Sequence, residues 1–495
     1  MSEIELSTEV RNFLNQRHDH FIGGAQHPNN GSATIAVVNP ANGKTIAEVP
    51  NAGSTEADAA VTAAREGFQA WRRVSPAQRE IILRALADRI EANRETLAQI
   101  ETSQSGKTIQ MARAFEVDQA VLFLRYYAGW AQRINGQTMQ PSIPSMNQEQ
   151  YAAFTRREPL GVVIGIIPWN FSLMIAIWKL ASALVTGNSV IIKPSEYTPL
   201  TMLKLAELAT DVGLPDGALN VVTGGGELGQ TLLEHEGSDK VSFTGSIPTG
   251  RQVGSTAMKS DLTRVTLELG GKNPMGFLPD VDTDKAADGI IEAGFLHSGQ
   301  ICAAAENFFV HRSRFDELME KLSQRLNQFK IGSPMDETTD FGPVSNAEHH
   351  EKLASFFQQA TDHGNTIVHG GHTLDQPGYY VEPTVFIAKS IDDPLATHET
   401  FGPIATFLPY DDEDELIAYM NHGPYGLAAS LWTENISAAM RLIPEIQAGT
   451  VWVNMHTILD PTVPFGGVKS SGIGREFGDA FIDDFTELKS VMIRY

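Results

Sequence analysis

The chain has 495 residues, 42% of them hydrophobic, enough to bury more than one sizeable core in a globular protein of two or more domains. Its 60 acidic residues outnumber 37 basic ones, and the formal charge of −23 repels phosphate backbones and anionic lipid, which excludes nucleic acid and membrane surfaces as partners. A single cysteine, Cys302, excludes an intrachain disulfide and a cysteine-based zinc site.

The opening MSEIELSTEV has neither a basic start nor an apolar signal core. The longest apolar run, Leu160 to Trp169, falls short of the roughly 18 residues that a spanning helix needs. A cytoplasmic location is therefore expected. From Thr55, TEADAAVTAAREGFQAW begins with a capping-box-like Thr-x-x-Asp and repeats apolar residues at Ala57, Val61, Ala64, Phe68 and Trp71, which predicts an amphipathic helix. Helical segments continue to about Gln132. Within them SQSGKT, Ser103 to Thr108, is not a phosphate loop: Glu101 stands where that motif needs glycine, and the residues before it read as helix rather than strand. NGQTMQPSIPSMNQEQ then breaks the pattern as a connector.

Between Pro159 and Gly270, the β-branched runs GVVIGII, NSVIIKP, ALNVVTG, KVSFTG and RVTLEL alternate with helical stretches, the signature of a parallel sheet covered by helices. Ligands of such sheets bind beyond the carboxyl ends of the strands. The residues there are Pro168-Trp169-Asn170, Lys193-Pro194-Ser195-Glu196, Gly224-Gly225-Gly226, Gly245-Ser246 and Glu268-Leu269-Gly270-Gly271. FTGSIPTG, Phe243 to Gly250, is either an ordinary strand–helix turn or a place where free backbone N–H groups hold a diphosphate. Lys193 can donate to a ribose or phosphate, and Glu196 can accept from ribose hydroxyls while repelling a 2′-phosphate. In LELGGKNP, Glu268 reads as a desolvated general base or as a structural charge. Asn170 reads as an oxyanion donor or as a helix N-cap, and the apolar residues after it as core or as pocket.

From Gly271 to about Gly467 a second α/β region follows, with strand-like runs NFFVH and GTVWVN and with Cys302 in HSGQICAAAEN. A free cysteine is either small apolar filler or a reactive thiol. The adjacent His349-His350 pair reads as surface histidines, no H-E-x-x-H or other metal site is visible, and no G-x-S-x-G supports a serine triad. ELKSVMIRY closes the chain as a strand.

PWNF, GNSVIIKPSE, FTGSIPTG, LELGGKNP, GQIC, ETFGP and PFGGVKSSGIGRE occur in the order and approximate spacing of the aldehyde dehydrogenase superfamily, which this chain resembles through essentially its whole length. RAFEV, PLTML and AGTVWVNMHTILDPTVPFGG are similar to its phenylacetaldehyde-oxidising branch. The resemblance implies an α/β fold: a Rossmann-like NAD-binding domain over 1–139 and 156–268, and an α/β catalytic domain over 269–467. It also implies a small β oligomerisation element over 140–155 and 484–495, with 468–483 as a return segment, in a homodimer or homotetramer.

It further implies Cys302 as nucleophile through a thiohemiacetal and thioester, Glu268 as base, Asn170 with the Cys302 N–H as oxyanion donors, and Glu476 in proton relay. Ile166, Trp169, Lys193, Glu196, Gly245, Ser246, Glu399 and Phe401 would hold NAD. Phe171, Met174, Ile175, Trp178, Leu296, Ile301, Leu459 and Phe465 would form an apolar tunnel for an aromatic or arylalkyl aldehyde. No arginine stands among them to pair a substrate carboxylate. A broad aliphatic aldehyde dehydrogenase is the alternative in the same fold, and a cofactor-binding protein without catalysis is the rival outside that chemistry. In one place the chain departs from the family: where an arginine commonly follows the cysteine it reads Glu306-Asn307, which leaves the anchoring of the nucleophile loop open.

Overall fold

Residues 4–28, 33–144 and 147–495 are described in a computed structural model. The five runs between Pro159 and Gly270 form strands Val162–Ile166, Ser189–Lys193, Leu219–Val221, Lys240–Thr244 and Arg264–Glu268, parallel throughout. Nearly all their residues are buried, because helices cover both faces and leave no polar side to alternate. Val162–Ile166 lies at the centre, with the next two strands stacked on one side and the last two on the other. The chain direction therefore switches between Val162–Ile166 and Lys240–Thr244, and their carboxyl ends open the crevice where ligands of such sheets bind. His20–Ile22 and Ala25–His27 extend one edge, and Gly472–Ile473 pairs antiparallel with Arg264–Glu268 at the other.

A second sheet of seven strands runs in the spatial order Thr366–His369, Thr384–Ile387, Ile404–Tyr410, Ala305–His311, Asn273–Phe277, Ala428–Trp432 and Thr450–Val453. Asn273–Phe277 and Ala305–His311 are parallel neighbours, which brings the residues after Glu268 beside those after Cys302. A three-stranded antiparallel sheet joins Thr138–Met139, Tyr151–Pro159 and Thr486–Arg494, so the predicted connector already contributes a short strand. Ser145 and Met146, within the 140–155 span, lie outside the described residues.

The first long helix is Ser54–Trp71, starting one residue before the expected Thr55. Its cap is Gly53, whose N–H donates to Glu56 Oε2 at 2.9 Å, so Glu56 closes the turn in place of the Thr-x-x-Asp pair. The SQSGKT stretch ends helix Arg94–Ser105 at a left-handed Gly106, and Lys107 is buried in ion pairs with Glu116 at 2.5 Å and Glu101 at 3.4 Å. Helix Ser172–Thr186 is buried on every face, as expected of an apolar helix sealed inside a domain. Among the described residues, no helix is long and apolar enough to cross a membrane.

Candidate active site

The chain approaches Cys302 through consecutive left-handed residues, His297 (φ 51°), Ser298 (φ 52°) and Gly299 (φ 71°). Beyond it the loop is held from two sides. Asn273 Nδ2 donates to the carbonyls of Cys302 and Ala304, each at 2.8 Å, and Asn273 Oδ1 accepts from Ala428 N–H at 3.0 Å. His456 Nε2 lies 2.8 Å from the Ala303 carbonyl; burial lowers this imidazole to about 4, so the ring is neutral and Nε2–H is the donor. A side chain ahead of the cysteine and a histidine far beyond it thus do the anchoring that no arginine supplies.

Asn170 sits past the end of the Val162–Ile166 strand and is 3% exposed. It does not cap the following helix, whose cap position is Phe171 without a side-chain bond. Instead Asn170 Nδ2 donates to the Gln300 carbonyl at 2.9 Å, two residues before Cys302. One amide hydrogen is spent there, and the bond fixes the direction of the other. The N-cap alternative is thereby excluded.

Cys302, half-buried, lies where two cavities meet, and among the described residues it alone lines both. The first, about 180 Å³, is the more polar of the two; it is lined by Trp169, Asn170, Ser246, Glu268, Glu399 and Phe401, among others. The second, about 120 Å³, is walled by Phe171 at the cap of the buried helix, by Met174, Ile175 and Trp178 on it, by Leu296 from a 3₁₀ turn, and by Ile301 and Leu459 from loops. Met111, Phe115, Gln119, Phe123, Ala303, Thr457 and Ile458 add to that wall, and no charged side chain belongs to it. Phe115 comes from a π-helical turn, Ala112–Val117, an element common at functional sites. Phe465 does not line the cavity: it is 3% exposed, stacks on Phe477 and pairs its backbone with Glu476.

Electrostatics in the polar cavity oppose free charge. Glu268, 6% exposed, has no partner for either carboxylate oxygen among the described residues. Burial, with Glu476 nearby, raises its pKa well above the ordinary range. A Cβ at Gly466 would come within 2.8 Å of Glu268 Oε1, so glycine there makes room for the carboxylate. Burial, with Glu268 and Glu399 adding negative charge, pushes the Cys302 thiol up to about 12. The thiol is thus protonated at neutral pH and needs a base to become a nucleophile. Glu476 is 3% exposed, with Oε1 at 3.1 Å from Lys179 Nζ, which also donates to Ser242 Oγ. Both Glu476 and Lys179 are near enough to act electrostatically on Glu268.

Ile166 and Lys193 are cross-strand neighbours at the carboxyl ends of the two central strands, and Lys193 Nζ is 4.0 Å from Glu196 Oε2. These three residues lie outside the lining of the polar cavity. Gly245 leads to Ser246, which caps helix Ile247–Ser260 by accepting from Thr249 N–H at 3.4 Å, with Pro248 in the first turn. Gly225 and Gly226 open a second helix, Gly226–Glu234, and a Cβ on either would meet nothing within 4 Å. The bare N-terminus of helix Gly226–Glu234 and the Ser246-capped one of helix Ile247–Ser260 both follow carboxyl ends of the sheet strands, a donor set suited to a diphosphate.

Met111, Phe115, Gln119 and Phe123 on the apolar side, and two residues on the polar side, went unseen in the sequence. Lys352 belongs to the polar cavity, and His349, expected at the surface, is 7% exposed within it. The His349 ring packs between Trp169 at 5.4 Å and Phe401 at 6.1 Å, and its Nε2 lies 2.7 Å from the Phe401 carbonyl. Helix Ala347–Asp362 presents His349 inward, and the His-His pair gave no sign of which face that was.

These features have close counterparts. The aldehyde dehydrogenase family model matches residues 27–491, and the chain belongs to that family. A phenylacetaldehyde dehydrogenase of Pseudomonas fluorescens is 42% identical, over 97% of this chain and 96% of its own length. The structure of a Bacillus cereus aldehyde dehydrogenase in complex with NAD+ superposes with a TM-score of 0.96 at 39% identity, covering 99% of both chains. A betaine aldehyde dehydrogenase from Staphylococcus aureus superposes with a TM-score of 0.94 at 34% identity, covering 99% of this chain and 98% of that one. The fold is thus shared by enzymes named for chemically different aldehydes.

Proposed function

We propose that this protein oxidises an aryl-bearing aldehyde, phenylacetaldehyde foremost, to its carboxylate with NAD+. The observation that carries this reading is Cys302 at the junction of a polar and an apolar cavity: the apolar side holds the substrate's body, and the polar side holds the base and the cofactor. The 42% identity to a phenylacetaldehyde dehydrogenase supports the aryl group, as does a wall with no charge to pair a second carboxylate.

The residues present fit NAD+. The two helix N-termini would suit its diphosphate, Glu196 and Glu399 would accept from its ribose hydroxyls, and Trp169 and Phe401 would flank its nicotinamide end. When bound, NAD+ accepts a hydride from the substrate carbon.

This chain's own groups do the rest. Glu268 takes the thiol proton as Cys302 Sγ bonds to the carbonyl carbon, and the oxygen of the thiohemiacetal rests on Asn170 Nδ2–H and the Cys302 N–H. After oxidation of that carbon to the thioester, Glu268 deprotonates water, which adds to the thioester carbonyl. The C–S bond breaks, returning the thiolate and releasing the acid. The Lys179–Glu476 chain offers the proton a route away from Glu268. We further propose that the Thr486–Arg494 strand, at the edge of its sheet and largely exposed, joins copies of the chain in a dimer or tetramer.

The substrate assignment is tested by NADH formation with phenylacetaldehyde against an aliphatic aldehyde of matched size, with at least about tenfold higher kcat/KM expected for the aryl compound. Equal values would leave a broad aliphatic dehydrogenase, and no NADH from either would leave a binding protein. Asn170→Ala is expected to lower kcat about 10²–10³-fold with little change in aldehyde KM, the mark of a donor that acts chiefly on the transition state. An unchanged kcat would remove Asn170 from the oxyanion site.

A further inference from the structure

The residues after Cys302 include a carboxylate that the chemistry above does not use. Glu306 is 3% exposed and every close partner it has leads to one place. Its Oε2 receives Lys272 Nζ at 2.6 Å, Thr400 N–H at 2.8 Å and Thr400 Oγ1–H at 2.8 Å, and its Oε1 receives Phe401 N–H at 2.8 Å. Lys272 comes from the segment just after Glu268, so the pair ties the base's strand, the nucleophile's strand and the Glu399–Phe401 turn together. A buried ion pair is kept where its charges are saturated with hydrogen bonds, and these bonds fall on two consecutive backbone N–H groups.

Phe401 itself is strained. Its φ is +57°, unfavourable for a bulky non-glycine residue and sustained only where surrounding contacts over-determine it. Glu306 holds its N–H, and His349, neutral because burial lowers its ring to about 4, donates to its carbonyl at 2.7 Å. The strained conformation turns the ring into the polar cavity against Trp169, at 5.4 Å and nearly perpendicular. Within the same turn, Glu399 Oε1 accepts from Gly271 N–H at 2.9 Å.

We propose that Glu306, charge-paired to Lys272, is a positioning residue that sets the Glu399–Phe401 turn for the nicotinamide end of the cofactor. The inference rests on the reading of Glu399 and Phe401 as cofactor contacts. It accounts for a glutamate at a place where an apolar strand would otherwise carry none.

The test separates cofactor use from thiol chemistry. An activated ester such as p-nitrophenyl acetate can be hydrolysed by Cys302 and Glu268 without any dinucleotide. In Glu306→Gln, KM for NAD+ is expected to rise about tenfold, the size of one lost charge-assisted hydrogen bond, while aldehyde KM and ester hydrolysis stay within about twofold. Lys272→Met/Glu306→Gln, which leaves no unpaired buried charge, should recover thermal stability with the NAD+ KM still raised. Should Glu306→Gln fail to fold, Thr400→Val keeps the ion pair, loses one donor, and should raise the NAD+ KM about threefold. An unchanged NAD+ KM in a folded variant, a parallel loss of ester hydrolysis, or full recovery of the KM in the double variant would overturn the proposal. Wild-type protein that shows no saturation with NAD+ would overturn the cofactor reading beneath it, an outcome distinct from saturation with indistinguishable variants.

Discussion

Cys302→Ser is expected to lower aldehyde oxidation about 10⁴-fold or more with the fold intact by circular dichroism. The thiol already resists ionisation, pushed up to about 12 by burial and by Glu268 and Glu399, and a serine hydroxyl in the same place would resist it further. Because the chain has one cysteine, alkylation reads the same position chemically: one equivalent of iodoacetamide should abolish the wild-type activity, and aldehyde substrate should slow the modification. A Cys302→Ser enzyme that kept more than a trace of its rate would end the nucleophile assignment and return the residue to the role of filler.

Glu268→Gln should separate the two halves of the reaction. Thiol deprotonation uses Glu268 only to load the site, whereas thioester hydrolysis depends on it to activate water, so the variant is expected to give a slowed burst of about one NADH per site followed by turnover about 10²–10⁴-fold slower than wild type. Turnover at the wild-type rate would show that another group activates water. The pKa of Glu268, raised well above its ordinary range, predicts a pH dependence as well. Wild-type kcat should climb on the alkaline side as the carboxylate ionises, while the variant stays flat across that limb.

Stability should move the opposite way. A carboxyl whose pKa is higher in the folded than in the unfolded chain favours the fold while both states are protonated, and that advantage is lost as pH rises through the folded value. The melting temperature of Glu268→Gln should therefore match wild type below about pH 4, near the unfolded value, and exceed it increasingly as pH rises. The group proposed as the base is one the fold would be more stable without.

How much of this was legible in the sequence depended on the range of the interaction concerned. The strands Val162–Ile166, Ser189–Lys193 and Lys240–Thr244 were readable because runs buried on both faces have a local signature, and the polar or glycine residues at their ends followed from the sheet's geometry. The roles suggested for Cys302, Glu268 and Asn170 came from seven short segments in family order, and for Asn170 the residues themselves left oxyanion donor and N-cap equally open. The bond from Asn170 to the Gln300 carbonyl, across 130 positions, removed the N-cap reading.

His349 and Phe465 were misplaced for one shared reason. Each lies in a stretch whose local pattern is compatible with facing in or out, and the choice belongs to the surface packed against it: Trp169 and Phe401 around His349, Phe477 behind Phe465. The sequence by itself determined the α/β class, the sheet strands, the lone thiol and the absence of a charged partner for the substrate among the expected pocket residues. Only the tertiary structure decided that Cys302 joins two cavities, and that Asn273 and His456 anchor its loop. It also turned Glu306, seemingly a departure from the family, into the partner of Lys272 and the Phe401 turn. Propensity and hydrophobic pattern act between residues near in the chain, whereas these contacts form between strands that only folding makes neighbours.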